Sequence, residues 1–179
     1  MSLTLVTLLP GLLFIALGAL FLLNNSLVQS MFKSLPRSPL AAAVFFGGGA
    51  LWFIYNVWNL SEADFGEYHV ALSIGFAAVA ILAFYYVPDF LAVRGLSILT
   101  LLSAWHLLYS AYGEYQFQQR LFMVTAVYLL IGLAIYLGAV PYRLRDFFHW
   151  LFSTTARPRV LGGTLLTYGC LLAVVAFTY

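Results

Sequence analysis

Residues 3–23 read LTLVTLLPGLLFIALGALFLL, a run without one charged side chain. A helix of about 20 apolar residues rises far enough to cross a hydrocarbon core roughly 30 Å thick. A cleaved secretory leader is the competing reading. It would need a basic n-region and an apolar stretch of only about 7–15 residues, whereas the first basic residue here is Lys33. The stretch is therefore read as a retained first span.

The pattern returns along the chain. Uncharged apolar runs cover residues 40–60, 69–87, 95–113, 121–140 and 160–179. Between them lie Asn24-Asn25-Ser26 with Pro36 and Pro39, the acidic stretch from Ser61 to Glu67, Pro88-Asp89, Glu114 to Arg120, and Pro141 to Pro158, all stop and turn signals. The runs are continuous rather than alternating with a period of two, which favours helices over a barrel. Composition agrees: of 179 residues 64% are apolar and 8% charged, with mean hydropathy +0.97, whereas a soluble domain carries about 25% charge. A disordered chain and a nucleic-acid binder with a basic face are excluded, and one cysteine cannot make an internal disulfide. The expected fold is all-α: one integral membrane domain over residues 1–179, a six-transmembrane-helix bundle with one short interfacial amphipathic helix at about residues 143–153.

That short helix is read from Leu144, Phe147, Phe148, Leu151 and Phe152, which share one face, while Arg143, Arg145, Asp146 and His149 fall elsewhere. Its apolar face suits either lipid or neighbouring helices. Loops one, three and five hold Lys33, Arg37, Arg94, Arg143, Arg145, Arg157 and Arg159, seven of the eight basic residues; only Arg120 lies on the other side, with Glu62, Asp64, Glu67 and Glu114. Short cytoplasmic loops are enriched in Lys and Arg. The expectation is a multi-pass protein of the plasma (inner) membrane with both termini on the non-cytoplasmic side.

An internal repeat is a further candidate. Leu8-Leu9-Pro10-Gly11-Leu12 resembles Leu129-Leu130-Ile131-Gly132-Leu133 at a shift of 121, setting Leu23, Leu27 and Met31 opposite Leu144, Phe148 and Phe152. One inserted residue brings Pro36-Arg37 onto Pro158-Arg159 and Gly47 onto Gly169. Chance matching in Leu-rich sequence is the alternative.

Candidate site residues are few. Small-xxx-small spacings place Gly47, Gly48, Gly49, Gly75, Gly138 and Gly169 at helix-packing faces; the glycine triplet could also bend span two. Ionisable groups inside a membrane are a functional signal by default, and His69 and His106, at similar distances from Pro88, are candidate cofactor ligands for haem or a transition metal. The plainer reading of each is an interfacial or hydrogen-bonded structural histidine. An outward-facing pocket is expected from Trp52, Asn56, Asn59, Glu67, Trp105 and Tyr109 with the two histidines, suited to a cation or an amphipathic ligand; an aromatic belt at headgroup level is the plainer reading. Asn59-Leu60-Ser61 fits a glycosylation acceptor. Cys170 reads as a small buried residue.

No catalytic constellation and no dedicated metal site is read from the sequence, so the chain is not expected to be an enzyme, and no cofactor is assigned beyond the histidine reading. The leading expectation is a non-catalytic integral membrane subunit or accessory protein. Its partners are the bilayer and other membrane subunits or further copies of itself, with no nucleic acid. The alternatives are a small transporter or channel using the outer pocket, and a haem- or metal-binding redox protein using His69 and His106.

Overall fold

The computed structural model describes residues 2–179, apart from the side chain of Glu62; the outer placement expected for that carboxylate lies outside the described residues. Helices α1 (Leu3–Leu23), α2 (Ser26–Ser34), α3 (Pro39–Ala42), α4 (Gly48–Trp58), α5 (His69–Tyr86), α6 (Leu91–Ala111), α7 (Arg120–Ala139), α8 (Tyr142–Leu151) and α9 (Ala156–Ala176) follow one another, with no strand among the described residues. A π-turn over Ala43–Gly47 joins α3 to α4, making one span, Pro39–Trp58. Six helices are long and apolar enough to cross a membrane. The chain is an all-α, multi-pass membrane protein.

Local chemistry sets the boundaries. Asn24 adopts a left-handed conformation (φ 42°) that ends α1, and Asn25 Oδ1 accepts from the Val28 amide at 2.8 Å to start α2, so adjacent asparagines serve as cap and N-cap. Ser38 Oγ accepts from the Ala41 amide at 3.2 Å, with Pro39 in the first turn. Two spans start earlier than their charges suggested. α6 begins at Leu91 rather than Gly95, and α9 at Ala156 rather than Val160, because arginine in a first helical turn can carry its guanidinium outward along an apolar stem. The short helix expected near 143–153 is α8, and α2 is a second one. Phe148 and Leu151 of α8 and Phe152 just past its end are buried. Their aromatic neighbours are Phe21 and Phe32, at centroid distances of 5.3 Å for Phe32–Phe148 and 6.1 Å for Phe21–Phe152. The centre of its apolar face therefore packs on helices. Of the repeat, the element order returns, each long helix being followed after two residues by a short one. The register does not: a shift of 121 carries Leu23 to Leu144, inside α8, whereas α7 ends at Ala139.

The chain divides into two compact units. The first comprises residues 1–33, 103–133 and 145–179. Its core joins Val6 and Phe14 of α1, Ala104 and Ala111 of α6, Met123, Ala126 and Val127 of α7, and Leu172 of α9. α1 and α9 are its most intimate pair. A Cβ on Gly11 would lie 3.1 Å from the Gly169 carbonyl oxygen and one on Gly169 2.7 Å from that of Gly11; for Gly18 and Gly162 both distances are 2.8 Å. Two reciprocal glycine pairs, seven residues apart on each helix, thus hold two backbones in contact along antiparallel chains. At one end the Thr7 and Tyr179 hydroxyls meet at 3.4 Å.

The second unit comprises residues 34–102 and 134–144. Here the first half of α6 presses on the π-turn: a Cβ on Gly95 would stand 2.2 Å from the Phe46 amide nitrogen. Ala42, Leu91 and Ala92 form the adjoining core with Phe45, Phe46 and Ala83 around it. α4 and α5 pack through Phe53 on Phe76, edge to face at 4.9 Å.

These contacts separate one kind of glycine from another. Gly18→Leu should force α1 from α9 and destabilise the protein by about 1–3 kcal/mol through overpacking. Gly132→Ala, where a Cβ meets nothing within 4 Å, should be neutral or raise stability by up to about 1 kcal/mol through helix propensity. Thermal unfolding of both variants in one detergent checks the contrast.

Candidate functional site

The loop entering α5 is built around its own backbone. Asp64 and Gly66 donate their amides to the Ser61 carbonyl, each at 2.9 Å, and the Ser61 hydroxyl donates to Asp64 Oδ2 at 2.9 Å. Gly66 is required: a Cβ would lie 2.6 Å from that same carbonyl oxygen. His69, the first residue of α5, places Nδ1 2.5 Å from the Gly66 carbonyl oxygen, which fixes Nδ1 as the protonated donor. Its ring stands edge-on to Trp58 at 5.2 Å. His69 thus clamps the loop to the start of its helix and to the end of α4, with Nε2 outside that hydrogen bond. Of the other expected pocket residues in this unit, Asn59 donates Nδ2 to the Tyr55 carbonyl at 2.7 Å and so closes the end of α4. Asn56 and Glu67 are exposed, and Trp52 is half-buried.

The remaining pocket candidates belong to the first unit. Trp105 and Tyr109 are each 69% exposed, with rings stacked at 6.0 Å. His106 is exposed between them, and the Ser110 hydroxyl donates to its carbonyl at 2.9 Å. With Tyr112 and Tyr115 also exposed, this stretch has the amphipathic aromatic character of a headgroup-level belt. Arg120, the lone cation expected at this end, donates to the Ala111 carbonyl and lies 4.7 Å from the Tyr115 ring centroid. Its charge therefore closes the turn between α6 and α7. Among the described residues no three His, Cys, Asp or Glu side chains gather to hold a metal ion.

The small residues sort into two groups. A Cβ on Gly169 would run into Gly11, one on Gly49 would lie 3.1 Å from Ile98, and one on Gly138 3.7 Å from Ser97. Gly47, Gly48 and Gly75 face open space. Gly11, Gly18 and Gly162, which carry the α1–α9 seam with Gly169, were not among the expected packing positions; their seven-residue spacing is the signal that finds them. Cys170, expected to be buried, is exposed on α9.

The barest surface belongs to α5. Along its span, Gly66–Tyr86, Ser73 alone is buried. Ser73, Phe76, Ala77 and Ala80 look toward its own unit or its flanks, while Ala71, Gly75, Ala78 and Leu82 line the opposite face at helical spacing and are all exposed. This small-residue trough could receive the ridge of another helix.

At the opposite end of the first unit, α2 and α8 join through Phe32, 5.3 Å from Phe148, with Lys33 Nζ 5.9 Å from the Phe152 ring. Arg145 pairs with Asp146 at 2.7 Å. Arg157 donates to the Trp150 carbonyl at 2.9 Å and to Ser153 Oγ at 2.7 Å, tying α8 to the start of α9. Leu27 and Met31 of α2 and Trp150 of α8 remain exposed, as in helices that rest on a membrane interface.

His69→Ala should remove a hydrogen bond and a ring contact, lowering stability by about 1–2 kcal/mol. Increased exchange of the amides over residues 61–68, with the rest of the chain unchanged, is the measurement that checks the clamp. Set against known protein families, curated proteins and solved structures, the chain matches none, which leaves its own side chains and surfaces to argue what it does.

Proposed function

We propose that the protein is a non-catalytic subunit or accessory protein of the plasma (inner) membrane that packs against other membrane helices, either of partner proteins or of further copies of itself. The observation that carries this reading is the bare face of α5. In lipid there is no hydrophobic drive between helices, and association rests on close van der Waals contact, which small residues permit. Inside the chain, glycines are used for that purpose at the α1–α9 seam and at Gly95. The exposed trough Ala71-Gly75-Ala78-Leu82 offers the same geometry with nothing of this chain against Gly75. The distribution of Lys and Arg supports an orientation with both termini outside the cytoplasm and α2 and α8 at the cytoplasmic end.

The transport and redox readings draw less support. The basic and acidic residues fall outside the central part of each span. His69 commits Nδ1 to a backbone carbonyl, leaving only Nε2 for a ligand.

Gentle extraction of the wild-type protein should recover a stoichiometric partner or a homo-oligomer. The double variant Gly75→Leu, Ala78→Leu should lose it while melting as the wild type does, because both positions are exposed. Native-size analysis after cross-linking gives the answer. A wild-type protein that runs as a lone chain, indistinguishable from the variant, would refute the proposal.

A further inference from the structure

α9 carries a cleft that the packing surfaces leave unused. It has a volume of about 500 Å³ and runs along Arg159, Gly163, Thr167 and Leu171 on one stripe, with Val160, Thr164 and Tyr168 beside it. These positions recur every four residues, so the cleft follows the helix axis rather than crossing it. Gly163 gives it depth, since a Cβ there meets nothing within 4 Å. One wall is fixed: the Tyr168 hydroxyl donates to the Phe122 carbonyl at 2.8 Å, pinning the ring against α7.

The two ends differ chemically. Leu171 closes the inner end, and Arg159 stands at the outer one. Of the cations at this end of the unit, Arg145 is paired with Asp146 and Arg157 is engaged with Trp150 and Ser153. Arg159 is exposed, and among the described residues no hydrogen bond or ion pair engages its guanidinium. From Arg159 to Leu171 the helix rises about 18 Å at roughly 1.5 Å per residue, close to the ~15 Å of one leaflet's hydrocarbon. An apolar channel of that length, open to the bilayer and capped by an uncommitted guanidinium at headgroup depth, fits a two-part ligand with an acyl chain and an anionic head.

We infer that this cleft holds an anionic phospholipid from the leaflet at the Arg159 end, its acyl chain lying over Gly163 toward Leu171 and its phosphate on the Arg159 guanidinium. The guanidinium supplies forked donors to phosphate oxygens, and the small residue lets the chain lie on the helix backbone. The site is separate from the α5 face, so either can fail without the other.

Native mass spectrometry of the delipidated full chain, titrated with phosphatidylglycerol and with phosphatidylcholine, tests the inference. The wild type should bind phosphatidylglycerol about fivefold more tightly, the contribution of one basic residue to anionic-lipid binding. Arg159→Gln should bring that ratio close to one. Gly163→Leu should abolish retention of both lipids at unchanged melting temperature, the added side chain entering open space. Equal binding of the two lipids by the wild type, or an unchanged ratio in Arg159→Gln, would overturn the headgroup assignment. Gly163→Leu that keeps its lipid but loses a protein partner would show the cleft to be a helix-docking surface instead, and the inference would be wrong.

Discussion

Contact between the backbones of α1 and α9 is the constraint on which the first unit depends. Gly11 against Gly169 and Gly18 against Gly162 leave no room for a Cβ on either helix. In a bilayer this closeness is what replaces hydrophobic burial, since lipid tails are as apolar as leucine. Seven-residue spacing on both helices keeps the glycines on one seam over two turns. The first and last spans are thereby fixed side by side. Met123 and Val127 complete the core around Val6, Phe14 and Leu172.

The second unit solves the same problem differently. Gly95 of α6 lies against the backbone of Phe46, within the π-turn over Ala43–Gly47. One extra residue in that turn lets the chain bow at the contact and continue as α4. Phe53 on Phe76 and Phe46 on Phe84 then fasten α5 by ring edges. α5 is held along a single face, and its other face presents small residues outward. The reading of the protein as a subunit rests on that contrast: where small residues meet a neighbour they bring backbones together, and on α5 a Cβ at Gly75 would meet none of the described residues.

Six spans were legible because uncharged runs of bilayer length are a physical requirement that loops do not share. Their starts were less so. A charge at Arg94 or Arg157 argues against a span only if the side chain must stay at the depth of its Cα, and long side chains need not. The Asn24-Asn25 break was readable as punctuation, although the division of labour between the two asparagines appears only in their dihedrals and hydrogen bonds. Four-residue spacing pointed to Gly169 and missed Gly11, Gly18 and Gly162, whose period is seven. The π-turn over Ala43–Gly47 was not legible, because an apolar run of bilayer length reads the same whether its turns are α or π. His69 and His106 read as a ligand pair in the sequence, yet in the fold the partner of His69 Nδ1 is a backbone carbonyl three residues away. Local sequence shows a histidine's cost in a membrane, not which nearby group offsets it.

The subunit reading requires that another membrane helix cover the outer face of α5. Spin labels placed singly at Ala71, Gly75, Ala78 and Leu82, and for comparison at Val79 and Ile81 on the flanks, report it directly through their accessibility to oxygen in native membrane patches. With Cys170 replaced by serine to leave one label per chain, the first four should be protected relative to the flanks, and detergent isolation of the chain should erase the difference. Uniform lipid-like accessibility at all six positions in the native membrane would contradict the account.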